Sequence, residues 1–196
     1  MSYSIDAIAE DCYEGTSCLI NKLGIRDDNK LKEFEAAITL AKASELEANP
    51  ITGNFDAAHY KAIHKYLFED IYDWAGEYRT INMSKSGTRF TDAAKIAERM
   101  DACFKRLRDK DFFRTGTFDA FINNIADFYQ VTNQIHPFRE GNGRTQRLFI
   151  TQLIRYNGSD IDFSTMDTDE LMIATIQAAS GVNDNLVKRF SESIVK

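Results

Sequence analysis

Residues 118–158 read FDAFINNIADFYQVTNQIHPFREGNGRTQRLFITQLIRYNG and predict two helices joined by a short loop that contains glycine. In the first half, apolar residues recur at helical spacing, at Phe118, Phe121, Ile122, Ile125, Phe128, Tyr129 and Ile135. The second half begins near Asn142, has Leu148, Phe149, Leu153 and Ile154 as its apolar face, and ends at Gly158, a residue type that favours helix ends. Both stripes are wide enough for central helices.

Amphipathic helices are also predicted on both sides of this pair. A helix opened by Asp27 and Asp28 has an apolar face of Leu31, Phe34, Ile38 and Ala41. Others start near Asp56 (with Tyr60, Ile63, Leu67 and Ile71) and cover residues 92–108, 167–179 and 183–195. Residues 78–90 alternate instead and turn at Ser86-Gly87, which predicts a β-hairpin. The fold class is therefore all-α, one domain over residues 1–196 with a hairpin insert.

The net charge, the cysteine count and the distribution of apolar residues exclude some classes of function. The net charge is −6 and the pI is about 5.1, the wrong sign for binding a phosphate backbone, so direct nucleic-acid binding is disfavoured. Three cysteines without paired spacing indicate a reducing compartment, which we take to be the cytoplasm. No signal peptide and no apolar run of about 20 residues is found, so no membrane association is expected.

The loop between the two central helices contains several features that are suited to binding phosphate. Gly141-Asn142-Gly143 opens a helix, where backbone N–H groups form a nest for an anion. Arg144 and Arg147 lie one turn apart at the positive end of the helix dipole, where each cation costs about 0.3–1 kcal/mol. A bound polyphosphate would make the two positive charges favourable at this position.

Two residues that precede the nest in the sequence, Glu140 and His136, suggest a catalytic role. Glu140 offers the single carboxylate with which Mg²⁺ is held beside substrate phosphates, and His136 could take a proton from a hydroxyl near neutral pH. Pro137 and Phe138 are expected to anchor the loop in the core. Each feature has a structural alternative: a turn, a helix-start acid, a loop histidine or a solvated arginine pair. Their coincidence in twelve residues favours a phosphate-handling site.

The string HPFREGNGRTQR, residues 136–147, resembles the signature of the Fic (filamentation induced by cAMP) family, His-Pro-Phe-x-acid-Gly-Asn-Gly-x-x-Arg. Residues 13–25, 70–77 and 180–184 are also similar to family segments, so the resemblance spans about residues 13–190. It implies a helical Fic fold with a short hairpin flap and a protein adenylyltransferase, which transfers AMP from ATP to a hydroxyl of a target protein.

The resemblance also implies roles for individual residues. His136 would deprotonate the Ser, Thr or Tyr of the target, and Glu140 would bind Mg²⁺. The nucleotide would be bound by Gly141, Asn142, Gly143, Arg144, Thr145, Gln146 and Arg147, with Lys85 and Ser86 at the flap tip. The flap would dock the target as an added strand through Thr80, Ile81, Asn82, Met83 and Ser84. Gly143 favours nucleotidyl transfer, because kinase-like relatives have Lys there.

The expected mode of regulation is inferred from an inhibitory motif that many relatives have and that this sequence does not match. Many relatives are inhibited by a helix with Ser/Thr-x-x-x-Glu-Gly/Asn, whose Glu pairs with the second motif arginine. Here Ser2…Asp6 and Ser180…Asp184 have the spacing but Asp for Glu. The chain thus resembles the toxin class that a separate small antitoxin inhibits. Alternatives remain: transfer of UMP, phosphocholine or phosphate, removal of AMP, action inside a host cell, or a helical binding module without activity.

Overall fold

The computed structural model describes residues 3–5, 11–85 and 88–196, and within them the fold is built from seven α-helices. They are α1 (Asp28–Ala48), α2 (Ala57–Phe68), α3 (Ile96–Asp109), α4 (Phe118–Ile135), α5 (Asn142–Tyr156), α6 (Thr168–Ala179) and α7 (Asp184–Ser193). The predicted all-α class is confirmed. In these residues, no helix combines the length and the apolar character that crossing a bilayer requires.

Helix starts follow the capping residues of the sequence. Asp27, Asp56, Thr117 and Asp167 each accept a hydrogen bond from the backbone N–H three residues later, at the starts of α1, α2, α4 and α6. Such a cap contributes about 1 kcal/mol. At the other end of α5, Gly158 has a φ of +77°, the left-handed conformation that glycine adopts without strain.

An aromatic cluster forms the centre of the core, where α5 packs against α2 and α4. Phe149 is fully buried, and its ring lies 5.3–5.7 Å from those of Phe55, Tyr60, Phe104 and Phe128. Ring pairs at this spacing add favourable edge and offset contacts to the burial of apolar area. The fourteen phenylalanines of the chain are thus largely explained by the core.

The predicted apolar face of α1 is partly wrong. Leu31 is buried as expected, but Phe34 is 54% exposed and Ala41 is exposed as well. The buried residues of α1 are Leu31, Glu35, Thr39 and Leu46. Glu35 and Thr39 are turned inward because both bind the side chain of an arginine on α5, so polar partners determine which side of α1 is buried.

The predicted hairpin is present but shorter than residues 78–90. Its strands β2 (Met83–Lys85) and β3 (Thr88–Arg89) pair antiparallel, with Ser84 opposite Arg89. The predicted turn at Ser86-Gly87 lies outside the described residues. A strand that the sequence did not predict, β1 (Tyr3–Ile5), pairs antiparallel with the other edge of β2.

Three predicted helix boundaries shift. The helix from Asp56 ends at Phe68, and buried Ile71 lies in the following turn. The helix over 92–108 begins as a 3₁₀ turn and becomes α-helical at Ile96. The last helix ends at Ser193, where β5 (Ile194–Val195) pairs antiparallel with β4 (Asp160–Ile161). The sequence does not predict β4 and β5, because strands of two residues are too short to show an alternation of apolar and polar residues.

Two substitutions test this core assignment. We expect Phe149→Ala to lower the free energy of unfolding by about 3–5 kcal/mol, because it leaves a cavity among buried rings. Phe34→Ala, the same change at the exposed position of α1, should change it by less than about 0.5 kcal/mol. Urea denaturation of both variants measures the difference, and equal losses would contradict the assigned faces.

Candidate active site

The loop between α4 and α5 is closed by one side chain. The Asn142 side chain accepts a hydrogen bond from the Phe138 N–H at 2.8 Å and donates one to the Phe138 carbonyl at 2.7 Å. His136 ends α4 in the left-handed conformation, with a φ of +49°. The predicted nucleotide-binding Asn142 therefore uses its amide to shape the loop, while its backbone begins α5.

The two predicted anchors lie in the interior. Phe138 is fully buried, and its ring stacks on those of His64 at 3.8 Å and Tyr60 at 5.7 Å. The Pro137 carbonyl accepts a hydrogen bond from the N–H of Arg79. The loop is thus tied to α2 and to the segment that leads into the hairpin.

Arg79 is a buried residue that sequence reasoning missed. Its guanidinium donates hydrogen bonds to the carbonyls of Ile81, Thr91, Ile135 and His136. Burial lowers its pKa to about 10, so the group stays charged at neutral pH. It joins both ends of the hairpin to the end of α4. A lone arginine in a predicted hairpin gives no signal of this role, because its partners are distant in sequence.

His64 supports the loop from the other side and was also missed. Its Nδ1 accepts a hydrogen bond from the Gly76 N–H at 2.8 Å, so its Nε2 carries the proton that is donated to the Glu140 carbonyl at 3.0 Å. Burial first, and then the charge of Arg144, lowers the pKa of His64 to about 3. This histidine is therefore neutral at physiological pH.

Two loop glycines are required by close contacts. Gly141 has a φ of +77°, and a Cβ there would lie 2.1 Å from Cζ of Phe68. A Cβ on Gly143 would lie 3.2 Å from Nη1 of Arg147, so the glycine leaves room for this guanidinium. Any larger residue at Gly143 would crowd the arginine.

A cavity of about 310 Å³ lies between the hairpin, the loop and α6. Its polar side is formed by Lys85, Asn133, His136, Gly143, Gln146 and Arg147. Leu171, Met172 and Ile176 of α6 form an apolar wall. The structure thus brings together residues of the hairpin and of the loop that are about 50 positions apart in the sequence.

His136 faces this cavity as a neutral imidazole. Its ring stacks on Phe90 with centroids 3.9 Å apart and planes within 8°. Burial is the main cause that lowers its pKa to about 3, and the charges of Arg79 and Lys85 act in the same direction. A neutral imidazole can accept a proton.

The two arginines of the loop meet different neighbours. Burial lowers the pKa of Arg147, and no acidic side chain in the described part of the chain pairs with it. Arg144 instead donates to Glu35 at 2.6 Å and to Glu140 at 3.2 Å. The expectation that both arginines neutralise the same phosphates therefore fits Arg147 better than Arg144.

Glu140 is the candidate metal ligand. Its Oε1 accepts hydrogen bonds from the Gly141 N–H at 2.8 Å and from Arg144, whereas its Oε2 accepts none from the residues that the structure describes. Across those residues, no group of three or more His, Cys, Asp or Glu is arranged to hold a metal ion. One carboxylate with a free oxygen fits Mg²⁺ only when phosphate oxygens complete the coordination.

The remaining predicted site residues are spread around the cavity. Thr145 is fully buried and does not line it. Gln146 lines it, but its amide donates to the Tyr129 carbonyl and the Thr132 hydroxyl. Ser86 lies outside the described residues.

The residues predicted to dock a target lie along the hairpin. Met83 and Ser84 belong to β2, and Met83 is buried. Thr80, Ile81 and Asn82 precede the strand, and the Asn82 side chain accepts a hydrogen bond from the backbone of the next helical segment.

Known proteins share this sequence and fold. Residues 54–154 match the model of the Fic/DOC family. A probable protein adenylyltransferase, y4lH of Sinorhizobium fredii, is 39% identical over 87% of this chain and 88% of its own length. The protein adenylyltransferase VbhT of Bartonella schoenbuchensis is 35% identical over 86% of this chain, which spans only 35% of VbhT.

Solved structures agree with these relatives. The BepC protein of Bartonella tribocorum with bound AMPPNP superposes with a TM-score of 0.86 at 29% identity, over 94% of this chain and 95% of that one. A Bartonella quintana Fic domain with bound ADP gives 0.89 at 29% identity, over 94% of both chains.

The helical bundle, the hairpin and the histidine-containing loop define an enzyme with the Fic fold. The chain belongs to the Fic/DOC family. Its class is that of the relatives it matches over most of its length, protein adenylyltransferase.

The buried neutral His64 predicts a pH-dependent stability. Its folded-state pKa of about 3 lies below the ordinary 6.5, so the unfolded chain takes up a proton first as the pH falls. The stability from neutral His64 is complete above pH 6.5 and declines below it. We expect the wild type to lose about 2 kcal/mol more than His64→Gln between about pH 7.5 and pH 5. Urea denaturation at both pH values measures this, and parallel losses would contradict it.

Proposed function

We propose that this chain transfers AMP from ATP to a hydroxyl group of a target protein in a Mg²⁺-dependent reaction. One observation carries the proposal: Arg147 is desolvated, has no acidic partner among the described residues, and shares a cavity with the neutral imidazole of His136. Arg147 is half-buried, and a partly desolvated cation without a counter-ion is unfavourable unless an anion binds there. Phosphates are the anions that suit the neighbouring helix start.

The start of α5 supports phosphate binding. Its N-cap residue, Gly141, makes no side-chain capping bond, and within the described residues the N–H groups of Gly143 and Arg144 bond to no backbone carbonyl. The positive end of the helix dipole adds to the charge of Arg147. In this proposal the β- and γ-phosphates bind at this helix start and Arg147, near Gly143.

The reaction follows from the order of the groups. His136 takes the proton of the target hydroxyl, whose oxygen then attacks the α-phosphorus of ATP. A bond forms between that oxygen and phosphorus, the bond to the β-phosphate oxygen breaks, and pyrophosphate leaves. Glu140 would hold Mg²⁺ together with the phosphates of the nucleotide, and the ion would supply charge neutralisation. The chain's own residues supply position and fixed charge.

The hairpin is proposed as the surface that binds the target. Both edges of β2 are paired, one with β1 and the other with β3, and Lys85 of β2 lines the cavity of His136. A target strand that takes the place of β1 along β2 would therefore run past the reacting atoms. Main-chain pairing of this kind needs little sequence specificity. We assign this role to residues 80–84, within one Fic domain that covers residues 1–196.

Control by a separate antitoxin is the regulatory part of the proposal. Ser180 and Asp184 lie where α6 ends and α7 begins, and Ser2 and Asp6 lie outside the described residues. The unpaired Arg147 suits a glutamate supplied by another protein. We therefore propose a bacterial toxin that acts in the cytoplasm and is held inactive by a small partner.

Labelling with ATP that is radioactive at the α-phosphorus tests the reaction. We expect a labelled protein in bacterial lysate with Mg²⁺ and the wild type, and none with His136→Ala, while calorimetry shows ATP binding to both. Equal labelling by the variant would remove His136 from its role. A band with γ-labelled ATP alone would show phosphoryl transfer, against which Gly143 argues because kinase-like relatives have Lys at this position.

A second substitution tests the phosphate site. Arg147→Ala should weaken ATP binding at least tenfold, because it removes the charge that faces the cavity. Arg155→Ala, on the same helix but in an ion pair with Asp160, is the matched control and should bind ATP like the wild type. Isothermal titration calorimetry measures both affinities, and an unchanged affinity of Arg147→Ala would assign it a structural role.

A further inference from the structure

A buried polar cluster lies behind the loop, outside the cavity. It consists of Glu35 and Thr39 of α1, Tyr72 in the turns after α2, and Arg144 of α5. Glu35, Thr39 and Tyr72 are all more than nine-tenths buried. Burying a carboxylate and a guanidinium is costly, so the cluster must be well satisfied internally.

Glu35 uses both of its carboxylate oxygens. Oε1 accepts a hydrogen bond from Nη2 of Arg144 at 2.6 Å, and Oε2 accepts one from the Tyr72 hydroxyl at 2.5 Å. One turn further along α1, the Thr39 hydroxyl accepts from Nη1 of Arg144 at 3.0 Å. The arginine is therefore held from the α1 side by two acceptors.

The same guanidinium also reaches the active-site loop. It lies over the ring of Phe68, 4.8 Å from the centroid, and its Nη2 is 3.2 Å from Oε1 of Glu140. Glu35 and Glu140 thus share one positive charge, and the shorter contact is to Glu35. In this arrangement Glu140 meets the arginine through one oxygen only.

We propose that Glu35 is a positioning residue, which holds Arg144 away from full pairing with Glu140 and so keeps Oε2 of Glu140 available to Mg²⁺. Without Glu35, the guanidinium would be free to bind both oxygens of Glu140, the preferred geometry of such a pair. It would then neutralise and cover the metal ligand. This inference rests on the proposed Mg²⁺-dependent function and adds the residue that prepares the metal site.

The test compares two glutamates of the same helix. Glu35→Gln removes the charge at nearly constant shape. Glu45→Gln is the matched control, because Glu45 also lies on α1 and accepts a hydrogen bond from a tyrosine hydroxyl, that of Tyr66, but pairs with no arginine among the described residues. Two readouts are used: the NMR resonance of the Gly141 amide, which donates to Oε1 of Glu140, and the Mg²⁺ concentration that ATP binding requires in calorimetry.

We expect Glu35→Gln to shift the Gly141 amide resonance without nucleotide and to raise the required Mg²⁺ concentration by about 10–100-fold. Glu45→Gln should leave both at wild-type values. If Glu35→Gln lowers the unfolding midpoint but changes neither readout, the cluster is only structural and the proposal is overturned. An unchanged Gly141 resonance alone overturns it, whatever ATP binding shows.

If Glu35→Gln does not fold, a milder variant still tests the proposal. Thr39→Val keeps the side-chain shape and removes one acceptor of Arg144, so it should move both readouts in the same direction by a smaller amount. No movement in a folded Thr39→Val, when Glu35→Gln unfolds, overturns the proposal. If the Gly141 resonance moves but the wild type binds no Mg²⁺-ATP, the positioning of Glu140 stands and the proposed function fails.

Discussion

The loop of residues 136–141 is mostly buried and lies outside helices and strands, so much of its backbone depends on hydrogen bonds from side chains, and this constraint shapes the molecule around it. Each buried carbonyl and N–H needs a hydrogen bond from somewhere else. Asn142 supplies two, Arg79 binds the His136 carbonyl, and His64 binds the Glu140 carbonyl. The reactive side chains are therefore held by polar groups from α2, α5 and the segment before the hairpin. A loop held in this way keeps its shape before any ligand binds.

Electrostatics divide the loop into two halves. On the cavity side, Arg147 and Lys85 face a neutral imidazole, and none of the described residues that line the cavity is acidic. On the α1 side, Arg144 is shared between two carboxylates. An anion is thus attracted to one half and a cation to the other. The magnesium–nucleotide complex of the proposed function would present both charges, and each half of the loop would then face a different part of that ligand.

The sequence predicts the features that depend on neighbours in the chain. Helix starts at Asp27 and Asp56 follow from capping, and the start of α5 near Asn142 follows from the glycines beside it. Prediction from the sequence fails where a side chain's hydrogen-bond partner is remote in the chain. Glu35 faces inward because it binds an arginine 109 positions away. Arg79 and His64 were missed for the same reason, since their partners lie 57 and 76 residues away.

The strand β1 has a consequence for association between copies of the chain. An exposed strand edge is a template for pairing with other chains, and natural proteins usually cover or interrupt such edges. Here β1 covers one edge of β2 and β3 covers the other, so β2 is an inner strand. The residues that join are 3–5 and 83–85, so forming this sheet closes a long chain loop. Such pairing is expected late in folding. Until it forms, that edge of β2 is open to pairing with another chain.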